Sequence, residues 1–391
     1  MKKRYDSYKP SGIDWIGDIP SHWNLRRMRY LCDIITGDKD TVNRVDDGLY
    51  PFYVRSPQIE RINSYSFDGE AVLMAGDGVG AGKVLHYATG KFDFHQRVYN
   101  FHNFREIKGK LLYQYLKSLF KYKIEEGGAK NTVDSVRHPW LKDFPVCIPP
   151  LAEQEAIVAW LDEKCEEIDA AIAKVDREIE LIDELKQSEI SRVVTRGLNP
   201  DAPLRPSGID WIGYIPEHWV IAPFKRCMRI NNGCDYKHVV ADEGYPVIGS
   251  GGQFAYATGY LYDGEALLLG RKGTIDRPIY YVGKFWTVDT MFYAVPHKDV
   301  CCKYMYYQAL GFPFDYYSTS TALPSMAAND LANNPIAVPP LPEQQAIADY
   351  LDKKCVEIDG LKAKLTKKRE TLKELRQSII SEVVTGKRKV I

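Results

Sequence analysis

A chain of 391 residues exceeds one ordinary core and predicts two or three domains, and its 45% apolar and 12% aromatic content can fill them. No run of 18 apolar residues occurs, and the basic start Met1-Lys2-Lys3-Arg4-Tyr5-Asp6 has no apolar segment behind it, so the expectation is a cytoplasmic protein without membrane span or signal peptide. The formal net charge is zero but uneven: +5 over residues 1–150, −7 over 151–200, −2 over 201–340 and +4 over 341–391, which leaves a nucleic-acid partner open. The eight cysteines form no Cys-x-x-Cys pair, so they read as reduced, buried thiols.

From the N-terminus, the first marked stretch is Ser11-Gly12-Ile13-Asp14-Trp15-Ile16-Gly17-Asp18-Ile19-Pro20-Ser21-His22-Trp23. Ala71-Val72-Leu73-Met74 reads as a buried strand ending at glycines, followed by the run Gly76-Asp77-Gly78-Val79-Gly80-Ala81-Gly82-Lys83-Val84. A helix is expected over Lys108–Tyr122, then a polar stretch from Gly127 to Arg137. Ile148-Pro149-Pro150-Leu151-Ala152-Glu153-Gln154 opens more than 40 residues without a proline. There Leu161, Cys165, Ile168, Ile172, Val175, Ile179 and Ile182 alternate spacings of four and three, an a/d seam that predicts a coiled-coil partner. Gly197 stands where a C-terminal cap belongs, and Asn199-Pro200-Asp201-Ala202-Pro203 is a short linker.

The chain then begins again. Residues 207–219 repeat residues 11–23 with two changes, and Tyr262-Asp263-Gly264-Glu265-Ala266-Leu267-Leu268 repeats Phe67–Leu73. Ala266–Leu269, Ile279–Val282, Phe285–Val288 and Met291–Val295 read as strands, and Lys303–Leu310 as a helix. Val338-Pro339-Pro340-Leu341-Pro342-Glu343-Gln344 opens a second long helix, with Pro342 suited to its first turn and Gly386 to its cap. Its apolar positions are Leu351, Cys355, Ile358, Leu361, Leu365, Leu372, Leu375 and Ile379, in a seam that Lys362 and Arg369 interrupt. The two long helices carry opposite charge, which makes them natural partners.

The expected fold is α+β: two tandem mixed α/β domains, each followed by a long helix, with the helices paired as an antiparallel coiled coil under internal pseudo-two-fold symmetry. The boundaries are residues 1–150, 151–198, 199–340 and 341–391.

Catalytic signals are weak. The first glycine run fails as a phosphate loop, with Asp77 where a glycine belongs and Val84 where a Mg²⁺-binding hydroxyl belongs. Asp93 with Glu106-Ile107-Lys108 has only a loose likeness to a nuclease metal site, and no His or Cys pair has zinc spacing. No Asn-Pro-Pro-aromatic tetrapeptide of an amino-methyltransferase occurs. The second domain's loop, Gly270-Arg271-Lys272-Gly273-Thr274-Ile275-Asp276-Arg277, offers cations on a backbone that can approach a ligand, which suits duplex DNA. Candidate DNA contacts are Lys83, Arg97, Lys130, Asn131, Thr132 and Arg137 in the first domain and Arg271, Lys272, Thr274, Arg277, Ser320 and Thr321 in the second. Candidate coiled-coil and docking residues are Leu161, Ile168, Ile172, Val175, Ile179 and Ile182, with Leu351, Ile358, Leu365, Leu372, Leu375 and Ile379.

Ile-Pro-x-x-Trp near the start of each unit, the Gly-Arg-Lys-Gly-Thr loop after a strand and Pro-Pro-Leu-x-Glu-Gln at each long helix, by their order along nearly the whole chain, resemble the specificity subunit of a type I restriction–modification system. The first unit departs from the basic loop. The resemblance implies two target recognition domains, each reading half of a split sequence in double-stranded DNA, spaced by the helices. It implies docking of two methylation subunits and of restriction subunits, which carry S-adenosylmethionine, ATP and Mg²⁺, while this chain holds no cofactor or metal and catalyses nothing. The other reading is a non-DNA adaptor with two ligand-binding domains on a coiled coil.

Overall fold

The computed structural model describes residues 3–126, 135–317 and 324–390, in two units: Met1–Asp176 with Lys367–Ile391, and Arg177–Thr366. Each unit joins one mixed domain to the first part of one long helix and the last part of the other. The long helices run Leu151–Arg196 and Leu341–Val384.

In the first unit Asp33–Thr36, Val98–His102, Ala71–Ala75 and Leu85–Ala88 form an antiparallel sheet in that order. A second sheet orders Glu60–Ile62, Tyr50–Tyr53, Lys91–Phe94 and Phe67–Asp68, with one parallel pairing, Asp93 beside Phe52. The helix Gly109–Glu126 brings Leu112, Tyr115, Leu116 and Phe120 into a core with Trp23, Val72, Met74, Phe101 and Phe144. Ile157 and Leu161 of the first long helix and Ile380 and Val383 of the second complete it. Each such aliphatic side chain contributes about 1.5–3 kcal/mol on burial.

The second unit has one seven-stranded sheet: Met228–Asn232, Met291–Pro296, Tyr262–Gly270, Ile279–Thr287, Tyr245–Gly249, Gly252–Ala257 and Val240–Ala241. The expected strands at 279–282 and 285–288 are one strand. It continues through Gly283 because Gly283 faces Gly264, both at positive φ, so the backbone bends without losing its partner. In the first unit the facing pair is Gly69 and Gly90, which exchange two hydrogen bonds of 3.1 Å, and there the strands divide into two sheets.

The repeated motifs hold each domain to its helices. His22 Nε2 lies 2.9 Å from Glu153, which also accepts from the Tyr5 hydroxyl. Gln154 donates to Glu106 O (2.8 Å) and Pro149 O (3.0 Å) and accepts from Lys108 N (2.8 Å). In the second unit His218 lies 2.9 Å from Glu343, and Gln344 accepts from Cys301 N and donates to Pro339 O. The caps are part of the same joint. Gly197 and Gly386 have φ of +73° and +72°, and a Cβ on Gly386 would lie 2.3 Å from Pro20 and 3.2 Å from Trp23.

The helices pair antiparallel within each unit. In the first, Arg376 meets Asp169 at 2.8 and 3.0 Å and Arg369 meets Asp176 at 3.2 Å. In the second, Lys362 meets Asp183 at 2.7 Å, Lys186 meets Asp359 at 2.7 Å, and the Tyr350 hydroxyl donates to Glu189 at 2.7 Å. Two sequence expectations change here. Lys362 and Arg369 do not interrupt the seam of the second helix: Leu351, Cys355, Ile358, Lys362, Leu365, Arg369, Leu372, Arg376 and Ile379 keep an unbroken four–three alternation. Leu375 lies beside that line and is 46% exposed, as Leu361 is at 52%, and Arg376 takes the seam position. Leu161, Val175, Leu351 and Ile358 are buried, while Ile168, Ile172, Ile179, Ile182, Leu365, Leu372 and Ile379 are half-buried.

The cysteines are free. Cys32, Cys147, Cys165, Cys227 and Cys302 are buried, Cys301 and Cys355 partly so, and Cys234 is exposed against expectation, on the loop after Met228–Asn232. Burial pushes the thiols of Cys32 and Cys302 up to about 12.

Candidate nucleic-acid interface

In each domain the central buried strand runs into the loop that the sequence singled out, and the backbone clamps that loop on two sides. In the first domain Gly76 N donates to Arg97 O at 2.7 Å, Val136 N donates to Gly76 O at 2.8 Å, and Asp77 bridges to Ser135. In the second, Arg271 N donates to Thr290 O at 2.8 Å, Met326 N donates to Arg271 O at 3.0 Å, Gly273 N donates to Pro324 O at 2.9 Å, and Lys272 bridges to Ser325. The described residues just before each short helix, Ser135 and Val136 before His138–Asp143 and Pro324 to Met326 before Ala328–Asn333, are thereby joined to the glycine loop. Two pieces of chain that lie far apart in sequence meet at this loop in each domain.

These matching bonds make Gly76 equivalent to Arg271, Asp77 to Lys272 and Arg97 to Thr290. The pairing of Val98 with Ala75, and of Met291 with Gly270, gives the same register and makes Tyr99 equivalent to Phe292. The Arg271 guanidinium lies over the Phe292 ring, 5.7 Å from its centre. In the first domain a Cβ on Gly76 would be 2.9 Å from the Tyr99 ring and from Arg97 O, so a side chain there would require a neighbour to shift.

Among the candidate DNA contacts, Arg97 is exposed and lies 3.4 Å from Asp77. Lys83 is exposed on the same loop, and the Arg137 guanidinium lies over Trp140 at 5.7 Å. Arg271, Lys272 and Arg277 are exposed and Thr274 half-buried. Lys130, Asn131, Thr132, Ser320 and Thr321 lie outside the described residues.

Sequence reasoning missed Arg55, whose Nη1 donates to Asp77 at 2.9 Å. The available signal was Tyr50-Pro51, which returns as Tyr245-Pro246 and aligns Arg55 with Ser250. Arg55, Asp77 and Val79 line a cavity of about 420 Å³ with Thr41 and Glu60. His95 is 2% exposed and accepts from Arg97 N at its Nδ1 (2.9 Å); its Nε2 lies 3.8 Å from Asp40 and has no hydrogen-bond partner among the described residues. Burial, and then Arg55 nearby, hold its imidazole below the ordinary value.

The loose nuclease likeness dissolves. Asp93 is fully buried and accepts from Ser64, Ser66 and Phe94 N, while Glu106 pairs with Arg26 and Lys108 with Glu155. Among the described residues no three His, Cys, Asp or Glu side chains are placed to hold a metal.

The family model described as the type I restriction modification DNA specificity domain matches residues 20–181 and 225–369. The chain belongs to this specificity family. Within it, the type I restriction enzyme EcoDI specificity subunit of Escherichia coli is 24% identical over 409 residues, covering 95% of this chain and 89% of that one. The putative type I restriction enzyme MjaX specificity subunit of Methanocaldococcus jannaschii is 22% identical, covering 96% of each. A chain solved in a study of complex assembly and conformational transition of the type I R-M system matches with a TM-score of 0.72 at 15% identity, over 94% of this chain and 98% of that one. The HsdS subunit from Thermoanaerobacter tengcongensis matches with a TM-score of 0.50, also at 15% identity and over the same shares. At these identities the structural likeness shows the fold, which is the specificity-family fold in both halves.

Proposed function

We propose that this specificity subunit reads a bipartite sequence in double-stranded DNA, one half-site per domain, and hands the sites to methylation and restriction subunits that do the chemistry. The observation that carries the reading is the clamped loop surface, built by the same backbone bonds in both domains and furnished with different side chains. A shared scaffold with different exposed residues is what two readers of unlike half-sites need. The paired helices, 46 and 44 residues long, supply a stiff spacer between half-sites and the docking surface for two methylation subunits. S-adenosylmethionine, ATP and Mg²⁺ are assigned to the partner subunits, and the chain acts without catalysis of its own, in the cytoplasm.

Mapping methylated adenines in host DNA with and without this gene tests the reading. The expected result is a split target whose methylation disappears with the gene. An unchanged map, with a ligand bound independently of salt, would favour the adaptor and overturn the reading.

A further inference from the structure

The two domains distribute charge differently over equivalent positions. In the second domain Arg271 and Lys272 stand on the loop, and the flanking positions are Ser250 and Thr290. In the first the loop carries Gly76 and Asp77, and the flanking positions are Arg55 and Arg97. At these four equivalent positions the cations stand on the loop in the second domain and on its two neighbours in the first. Building on the specificity reading above, we infer that the first domain makes its base contacts through Arg55 and Arg97, with Asp77 as the positioning residue between them.

Three observations carry this. Both arginines are exposed and sit on the rim of one cavity or against its acid. Asp77 is only 17% exposed and lies 2.9 Å from Arg55 and 3.4 Å from Arg97, so one carboxylate restrains both side chains. The Arg97 backbone is itself fixed by its bonds to Gly76 and His95, and Arg55 stands two residues past the strand Tyr50–Tyr53. A guanidinium held in one orientation can present its fork to a guanine edge, whereas a free one mostly follows phosphate. The two guanidiniums neutralise Asp77, so an acid at this position leaves the cluster with net positive charge.

The test uses the full complex with its methylation subunits. Arg55→Ala and Arg97→Ala are compared with Lys272→Ala by mapping methylated adenines and by binding to a duplex carrying the mapped site. The first two should relax or abolish positions in one half-site, and Lys272→Ala in the other. Affinity for the native duplex should drop about ten-fold or more for each arginine that reads a base. Asp77→Ala should relax the same half-site as Arg97→Ala, with rescue by Asp77→Glu. Unfolding midpoints report whether each variant folds, and Arg→Lys variants, which keep charge and lose the fork, serve where alanine does not fold. Arginine variants that keep both half-sites and native affinity overturn the inference alone. So does weakening that is equal for every sequence, which would mark phosphate binding. If the wild-type complex yields no split target, the specificity reading itself fails and takes the inference with it.

Discussion

Arg376 grips Asp169 with two nitrogens, at 2.8 and 3.0 Å, across the two long helices. Seven residues along each helix Arg369 meets Asp176, and seven further, in the second unit, Lys362 meets Asp183. The steps run in opposite directions on the two helices, so these rungs fix an antiparallel register that apolar residues alone would leave free to slip by a heptad.

Because the rungs are exposed or half-exposed, each pair contributes only about 0.2–1 kcal/mol. Their weight lies in choosing the register. Asp176→Lys should therefore destabilise the protein by about 1 kcal/mol, by removing an attraction and adding a repulsion. Adding Arg369→Asp should restore most of it. A double-mutant cycle by urea unfolding reads the coupling, and additive effects would show that the two side chains do not act on each other.

The glycines make a paired test. Gly386→Ala should cost about 1–3 kcal/mol, because its φ is +72° and the new Cβ would run into Pro20. Gly360 lies inside the second long helix with nothing within 4 Å of a Cβ, so Gly360→Ala should stabilise by about 0.5–1 kcal/mol. Thermal unfolding of both variants checks the opposite signs.

Stability should also fall in mild acid. Burial holds His95 below its ordinary value of 6.5, and Arg55, Asp40, Asp77 and Arg97 are the charges around it. Below that value the unfolded chain takes up a proton that the folded chain refuses. The stabilisation is complete above pH 6.5 and declines as the pH drops beneath it. His86, depressed first by burial, acts in the same direction. Unfolding midpoints at about pH 7.5 and 5.5 should differ less in His95→Gln than in the wild type.

Much of this is legible in the sequence, because the long helices and the internal repeat are local patterns. Leu161 to Ile182 announce a coiled coil by spacing alone. Lys362 and Arg369 look like interruptions as long as a seam is sought among apolar residues, because their partners, Asp183 and Asp176, lie 179 and 193 positions away. Leu375 resembles a seam residue for being apolar, though the seam passes through Arg376. Gly283 looks like a strand end because the facing Gly264 that sustains the strand is invisible locally. The Arg55–Asp77–Arg97 cluster joins three segments in three dimensions, and only the faint Tyr-Pro repeat points to its first member.

If the paired helices set the distance between two half-sites, lengthening both together must move the half-sites apart. One heptad inserted after Ile179, matched by one between Lys362 and Arg369, preserves every rung of the register and lengthens the pair by about 10 Å. The decisive measurement is the map of methylated adenines made by that variant. The expected map shows the same two half-sites with a gap about three base pairs longer, at roughly 3.4 Å per base pair. Active methylation at the original gap would contradict it.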